Sequence, residues 1–128
     1  MDEFDPDKRR LENSESVRYS RQNYTFEATV EFESWFEKLR DKETKLRILN
    51  RMRRLVAGNS QDIKCLGSGV FELRMHFGPG YRIYFTFDPE RLHLILLGGD
   101  KSTQRTDIAK AKNLATAWQQ VWKATEHE

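Results

Sequence analysis

Apolar and polar residues alternate most clearly between Val70 and Phe87, on both sides of a Gly-Pro-Gly segment. Such alternation is typical of β-strands with one buried face, and the glycines and proline mark a turn between them. Directly opposed residues of an antiparallel hairpin share a face, so apolar residues must oppose apolar ones. The pattern therefore predicts a hairpin with the loop Gly78–Gly80 and with Phe77 opposite Tyr81.

This register brings four polar side chains together on the other face of the hairpin. It places His76 opposite Arg82 and Arg74 opposite Tyr84. Like charges side by side destabilise a sheet, so two guanidiniums, an imidazole and a phenol in one group indicate a surface that binds a polyanion. The alternative interpretation is a solvated sheet face whose charged side chains keep apart.

The remaining pattern predicts a single α+β domain with the element order β-α-α-β-β-β-β-α. A strand begins near Tyr24, and Thr29 and Asp41 are predicted to cap the first two helices. The C-terminal helix is predicted to begin near Ser102 or Thr103.

The strand that precedes the C-terminal helix is apolar on both of its faces. Pairing Phe87 with Leu92 places three leucines toward the core, namely Leu92, Leu94 and Leu96. The opposite face then carries His93, Ile95 and Leu97. Because two of these residues are apolar, we expect the C-terminal helix to cover that face.

Composition bounds the class of protein. The chain has 128 residues and a formal net charge of +2, which suits one folded domain and does not by itself indicate nucleic-acid binding. We expect a disordered extension over residues 1–22, a folded domain over 23–123 and a tail over 124–128. The single cysteine, Cys65, excludes an internal disulfide. With no apolar run long enough for a membrane span, we expect a cytoplasmic protein that does not contact a membrane.

The polar group on the hairpin suggests phosphate chemistry. Arginine offers bidentate donors to phosphate oxygens, and histidine moves protons near neutral pH. These are the parts of a ribonuclease that uses the ribose 2′-hydroxyl as nucleophile. The three histidines and one cysteine show no metal-ligand spacing, so we expect neither a metal nor another cofactor.

Further basic residues flank this group. Lys101 follows two glycines where a strand leads into a helix, a place where backbone N–H groups bind anions. Arg51 and Arg54 on the second helix, together with Lys64, are candidates for RNA-backbone contacts. An ordinary helix cap and a solvated helix face are the alternatives for these segments.

Several of these motifs, in this order, resemble the addiction-module killer proteins, the HigB-like branch of the RelE/ParE toxin superfamily. The similarity extends from about Tyr24 to Trp122. It is carried by Phe32–Trp35, Glu72–Arg74, Gly78–Phe85, Leu96–Gln104, Asp107, Ile108 and Ala111.

The resemblance implies a fold with two N-terminal helices on a twisted, mostly antiparallel sheet, followed by a C-terminal helix. It implies the toxin of a type II toxin–antitoxin system, neutralised by a cognate antitoxin that is typically a helix-turn-helix protein. RelE-like members cut messenger RNA on the ribosome, whereas ParE-like members inhibit DNA gyrase without catalysis.

By motif, the resemblance assigns catalytic roles to Arg82, Arg74 and Lys101. Glu72 stands where RelE has another lysine, so the resemblance implies fewer cationic site residues in this chain than in RelE. Completing the predicted catalytic set from the residues themselves, we expect His76 to transfer protons and Tyr84 to orient or stack a base.

Overall fold

The structure is a computed structural model that describes residues 16–21, 24–59, 61–87 and 92–126. These residues form six strands, three α-helices and a short 3-10 helix before the last α-helix. In chain order they are β1 (Ser16–Arg21), β2 (Tyr24–Thr29), α1 (Val30–Lys38), α2 (Lys42–Val56), β3 (Ile63–Gly67), β4 (Val70–Arg74), β5 (Arg82–Phe87), β6 (His93–Gly99), the 3-10 helix (Lys101–Thr103) and α3 (Gln104–Glu126).

The six strands form one mixed sheet in the order β1-β2-β6-β5-β4-β3. The β2 and β6 strands run parallel, with Phe26 opposite His93, and the other neighbours run antiparallel. Helices α1 and α2 carry the chain from β2 to β3 at the far edge of the sheet.

The predicted fold class is therefore wrong. The two helices are not N-terminal, because β1 and β2 precede them, and the sheet is mixed because β2 pairs with β6. Alternation along a sequence identifies a strand and its faces but does not identify its neighbours. The parallel pairing of β2 with β6 therefore could not be predicted from the pattern. The architecture is α/β, with helices on both faces of a mixed sheet.

Each face of the sheet has its own apolar cluster. Helices α1 and α2 cover one face through Phe32, Ile48, Met52 and Leu55, which pack on sheet residues that include Phe85. Helix α3 covers the other face, as predicted. Its buried residues Ala111, Ala115, Trp118 and Trp122 pack on Val70, Tyr84, Leu94, Leu96 and Leu97.

The register of the β4–β5 hairpin differs from the predicted one by two residues. Arg74 lies opposite Arg82, where the pattern predicted Tyr84. The Met75 N–H donates to the Tyr81 carbonyl at 3.0 Å, so the loop is longer than three residues. Because side chains alternate with a period of two, this shift leaves every hairpin residue on its predicted face.

The predicted faces of β6 are wrong at several positions. Phe87 lies opposite His93 instead of Leu92, a shift of one residue from the predicted pairing. Nearer the start of β5, the pairing shifts again at a bulge between Tyr84 and Phe85. A slip of one residue turns a strand over. Ile95 therefore packs in the cluster beneath α1 and α2, whereas two of the three leucines expected there, Leu94 and Leu96, lie beneath α3.

The predicted caps of the first two helices are confirmed. The Thr29 hydroxyl accepts a hydrogen bond from the Phe32 N–H at 3.1 Å, and Asp41 is the N-cap of α2. The last helical segment begins earlier than predicted, because the side chain of Asp100 caps it.

The predicted disordered extension, residues 1–22, lies mostly outside the described residues. Within it, Ser16–Arg21 form strand β1, which pairs with β2 at the edge of the sheet. Helix α3 extends to Glu126, and the last two residues of the predicted tail lie outside the described residues.

Candidate functional site

A cleft of about 290 Å³ lies between α2 and the end of the β4–β5 hairpin. We call it the cationic cleft. It is lined by Arg47, Asn50, Arg51, Arg54, Asp62, Arg74, Met75, His76 and Phe77. The lining thus holds four arginines and one histidine around a single carboxylate, which is the composition of a site for an anion.

Helix geometry brings three of these arginines to one wall. Arg47, Arg51 and Arg54 lie four and three positions apart on α2, a spacing that places side chains on one helix face. Arg51 is anchored to the opposite wall, because its Nη2 lies 3.4 Å from the Arg74 carbonyl oxygen and 3.7 Å from Asp62 Oδ2. The wall therefore has a fixed position relative to the hairpin.

Asp62 and His76 form a pair at the mouth of the cleft. His76 Nε2 lies 3.3 Å from Asp62 Oδ1, and both side chains reach solvent, with 67% and 43% exposed. The backbone of Asp62 adopts a positive φ of 61°, and its carbonyl accepts a hydrogen bond from the Arg74 N–H at 2.9 Å. If Nε2 carries the proton toward Asp62, Nδ1 is left as a base that a bound ligand can reach.

An aromatic ring closes one side of the cleft. The guanidinium carbon of Arg47 lies 3.7 Å from the centroid of the Phe77 ring, a close cation–π contact. Tyr81 supports the ring from another side, at 5.5 Å between centroids.

Two of the predicted catalytic residues lie elsewhere. The expectation that Arg82 and Tyr84 share an exposed face with Arg74 and His76 is wrong, because Arg82 is 6% exposed and Tyr84 is fully buried. The pattern predicts that the polar face of the hairpin is open to a ligand, but the C-terminal helical segment lies over it at Glu72 and Tyr84. Residues Glu72, Arg82, Tyr84 and Gln104 form what we call the enclosed cluster.

The enclosed cluster is held by internal contacts. Gln104 Nε2 donates to Glu72 Oε2 at 2.7 Å, and Arg82 Nε lies 3.9 Å from the same oxygen. Burial, together with the nearby negative charges of Glu72 and Asp107, raises the pKa of Tyr84 well above its usual value. The Tyr84 hydroxyl therefore stays protonated at any physiological pH.

Arg82 nevertheless supports the cationic cleft from behind. Its Nη1 donates to the Tyr81 carbonyl at 3.2 Å and lies 3.5 Å from the Met75 carbonyl oxygen. These carbonyls belong to the two ends of the hairpin loop. Arg82 thus fixes the loop that carries His76 and Phe77.

The structure places the other two predicted residues outside the lining of the cleft. Lys101 is exposed, and its stem lies against Gly80, where an added Cβ would lie 2.6 Å from the lysine Cδ. Lys64 is exposed on β3, opposite Glu72.

Five residues that line the cleft were absent from the predicted site: Arg47, Asn50, Asp62, Met75 and Phe77. The helical spacing of Arg47 with Arg51 and Arg54 was a usable signal. Asp62 had none, because its position depends on the turn that follows α2. Among the described residues, no group of three or more histidine, cysteine or acidic side chains could hold a metal ion.

Comparison with known proteins identifies the family. Residues 34–119 match the family described as phage-derived protein Gp49-like. The chain belongs to the Gp49-like family. This family is associated with RelE-like toxins of toxin–antitoxin systems.

A relative in Haemophilus influenzae strain Rd, described as an uncharacterized protein, is 47% identical over 87 residues. The match covers 68% of this chain and 88% of the relative. Among the described residues, no helix of this Gp49-like protein is both long and apolar enough to cross a membrane.

Proposed function

We propose that the protein is the toxin of a type II toxin–antitoxin pair, of the HigB-like kind, and that it cleaves messenger RNA in the cationic cleft. The observation that carries the proposal is the convergence of four arginines and a histidine on one cleft, in a member of a toxin-associated family. Phosphodiester chemistry requires such fixed positive charge, and a site that only bound an apolar partner would not.

The arrangement supplies the parts of a cleavage that uses the ribose 2′-hydroxyl. Arg51 and Arg74 hold the scissile phosphate and stabilise the charge that develops on it. His76, oriented by Asp62, takes the proton from the 2′-hydroxyl as its oxygen attacks phosphorus. The bond from phosphorus to the 5′-oxygen breaks, and the leaving oxygen takes a proton from water in the open cleft. The hydroxide that remains takes the proton from His76, which returns the histidine to its starting state. The products are a 2′,3′-cyclic phosphate and a 5′-hydroxyl.

The proposal changes the roles of several predicted catalytic residues. Arg82 becomes a positioning residue, since its contacts are to the loop carbonyls and to Glu72. Tyr84 belongs to the enclosed cluster. Lys101 and Lys64 lie outside the cleft lining and are candidates for contacts with the RNA backbone beyond the cleavage site.

The same cleft suggests how a cognate antitoxin would act. An acidic segment docked over the arginines would block RNA and would be attracted over distance by complementary charge. In this proposal the partners are therefore messenger RNA, presented on the ribosome, and an antitoxin that competes for one surface.

The test is cleavage of messenger RNA by purified protein, with and without ribosomes, followed by mapping of the new 5′ ends. His76→Ala should lower the cleavage rate by about 100-fold or more while RNA still binds. Arg105→Ala is the matched control, because Arg105 is an exposed arginine on α3 outside the cleft.

Growth arrest with intact RNA would contradict the proposal. If DNA supercoiling by gyrase were inhibited at the same time, the alternative function, a ParE-like gyrase inhibitor, would replace it.

A further inference from the structure

The aromatic wall of the cationic cleft is not needed for holding a phosphate. Phosphate recognition requires charge and hydrogen-bond donors, which the arginines supply. Phe77 adds neither, yet it lies in the lining of the cleft, and the guanidinium carbon of Arg47 lies over its ring at 3.7 Å from the centroid. Phe77 is half-buried and packs at the edge of the apolar cluster beneath α1 and α2, which accounts for an apolar residue there. Its cation–π contact with the exposed Arg47 adds little to folding, so stability alone is a weak reason for the guanidinium over the ring.

The Phe77 ring is held in place from behind. Its centroid lies 5.5 Å from that of Tyr81, and Tyr81 lies 6.1 Å from Trp35 in an edge-on contact. The Phe77 carbonyl also accepts a hydrogen bond from the Gly80 N–H at 3.0 Å, which fixes the backbone of the loop. The ring is thus a rigid support.

Arg47 presents a flat cationic surface on top of that support. Arg47 is exposed and lines the cleft, and a guanidinium with one side over an aromatic ring can take a ligand on its other side. Guanidinium planes and aromatic rings both stack on nucleobases, and they do so on unpaired bases whose faces are free. A duplex, with its bases already stacked, offers no such face.

We propose that Arg47 and Phe77 form a stacking platform for one unpaired base of single-stranded RNA, next to the phosphate held by Arg51 and Arg74. The base lies on the open face of the Arg47 guanidinium. The platform would orient the nucleotide whose phosphate enters the cleft, and so it rests on the proposed function and adds base recognition to it.

The test compares two non-cleavable ligands of equal charge by fluorescence anisotropy. One is a labelled 2′-O-methyl adenosine hexanucleotide, and the other is a hexamer of abasic spacers with the same phosphates. Base–aromatic stacking predicts that the wild-type protein binds the first roughly tenfold more tightly.

Two variants then isolate the platform. Arg47→Lys keeps the charge and removes the plane, and Phe77→Leu keeps an apolar side chain and removes the ring. Each should bring the ratio of the two affinities close to one, and this ratio is the readout, whatever the change in affinity for the abasic ligand. Arg105→Lys, outside the cleft, should keep the full ratio. Because Arg47 is exposed, the Arg47→Lys result stands even if Phe77→Leu loses stability.

The outcomes separate this proposal from the one on which it rests. Equal, salt-sensitive binding of both ligands by the wild-type protein would overturn the platform and still support a phosphate-binding cleft. An undiminished ratio in Arg47→Lys and Phe77→Leu would also overturn it. Failure to bind either ligand would overturn the platform, whereas the proposed function is decided by the cleavage assay with and without ribosomes.

Discussion

The cationic cleft and the enclosed cluster are built on the same hairpin and differ in what covers them. Arg74 and Arg82 are direct neighbours across β4 and β5. Arg74 lines the open cleft, whereas Arg82 is buried with Glu72 within 3.9 Å. A charge in the open cleft can exchange its partner for a ligand, and a charge in the enclosed cluster holds a fixed internal partner. The residue type alone therefore does not decide the role.

Truncating the two arginines should separate these roles most strongly. Arg82→Ala leaves the Glu72 carboxylate buried without its cation and should cost about 3 kcal/mol of unfolding free energy, or roughly 10 °C in melting temperature. Arg74→Ala should cost less than about 1 kcal/mol and weaken RNA binding. Thermal unfolding of both variants measures the difference.

A double variant checks the cause. In Arg82→Ala with Glu72→Gln, the buried charge is gone and Gln104 can still donate to residue 72, so part of the loss should be recovered. Strictly additive effects would show that Arg82 and Glu72 are not coupled and would weaken the contrast between the two regions.

The pair at the mouth of the cleft offers a second, smaller effect. Asp62→Asn keeps the positive φ, which asparagine tolerates, but removes the charge that orients His76. We expect RNA cleavage at saturation to slow about tenfold to 100-fold. RNA should bind slightly more tightly, since one negative charge leaves the cleft. An unchanged cleavage rate would exclude Asp62 as the partner of a catalytic His76.

The contrast between open and covered groups extends to the two histidines among the described residues. His76 is exposed in the cleft, whereas burial of His93, whose ring lies 4.7 Å from that of Phe87, lowers its pKa below the ordinary 6.5. Below pH 6.5 the unfolded chain then binds more protons than the folded one, so stability falls as the pH falls and is fully present above that value.

The smallest expected effect is the pH dependence of stability that the lowered pKa of His93 causes. The melting temperature should rise by a few degrees from about pH 5 to neutrality, and His93→Gln should flatten that part of the curve. A variant that kept the full slope would assign the pH dependence to other groups.

Local structure could be predicted well from the sequence. Thr29 and Asp41 stand at the predicted N-cap positions, Thr29 with a capping hydrogen bond and Asp41 without one. The hairpin residues lie on their predicted faces despite a register shift of two. Long-range structure could not be predicted in the same way. Two features depend on contacts between distant segments, which a pattern of alternation does not record. They are the pairing of β2 with β6 and the bulge between Tyr84 and Phe85 in the pairing of β5 with β6.

The candidate site was predicted in part for the same reason. Arg51, Arg54, Arg74 and His76 were named from the sequence, and the structure brings them into one cleft. Arg82 and Tyr84 were expected beside them because polar residues on a strand normally face solvent. Their polar face is covered by the segment that contains Gln104. The apolar residues of β6 predicted a helix over this face of the sheet, but nothing in the pattern indicated that the helical segment also encloses the polar residues of β4 and β5.

The parallel pairing of β2 with β6 also sets an order for folding. The Thr29 hydroxyl donates to the Leu96 carbonyl at 2.6 Å, which joins residues 67 positions apart. Closing a loop of that length costs about 4 kcal/mol of chain entropy before the contact is made. During synthesis, β2 cannot pair with β6 until β6 has left the ribosome. The sheet therefore cannot be completed while the chain is still short. Such long-range pairing is typical of slower-folding domains.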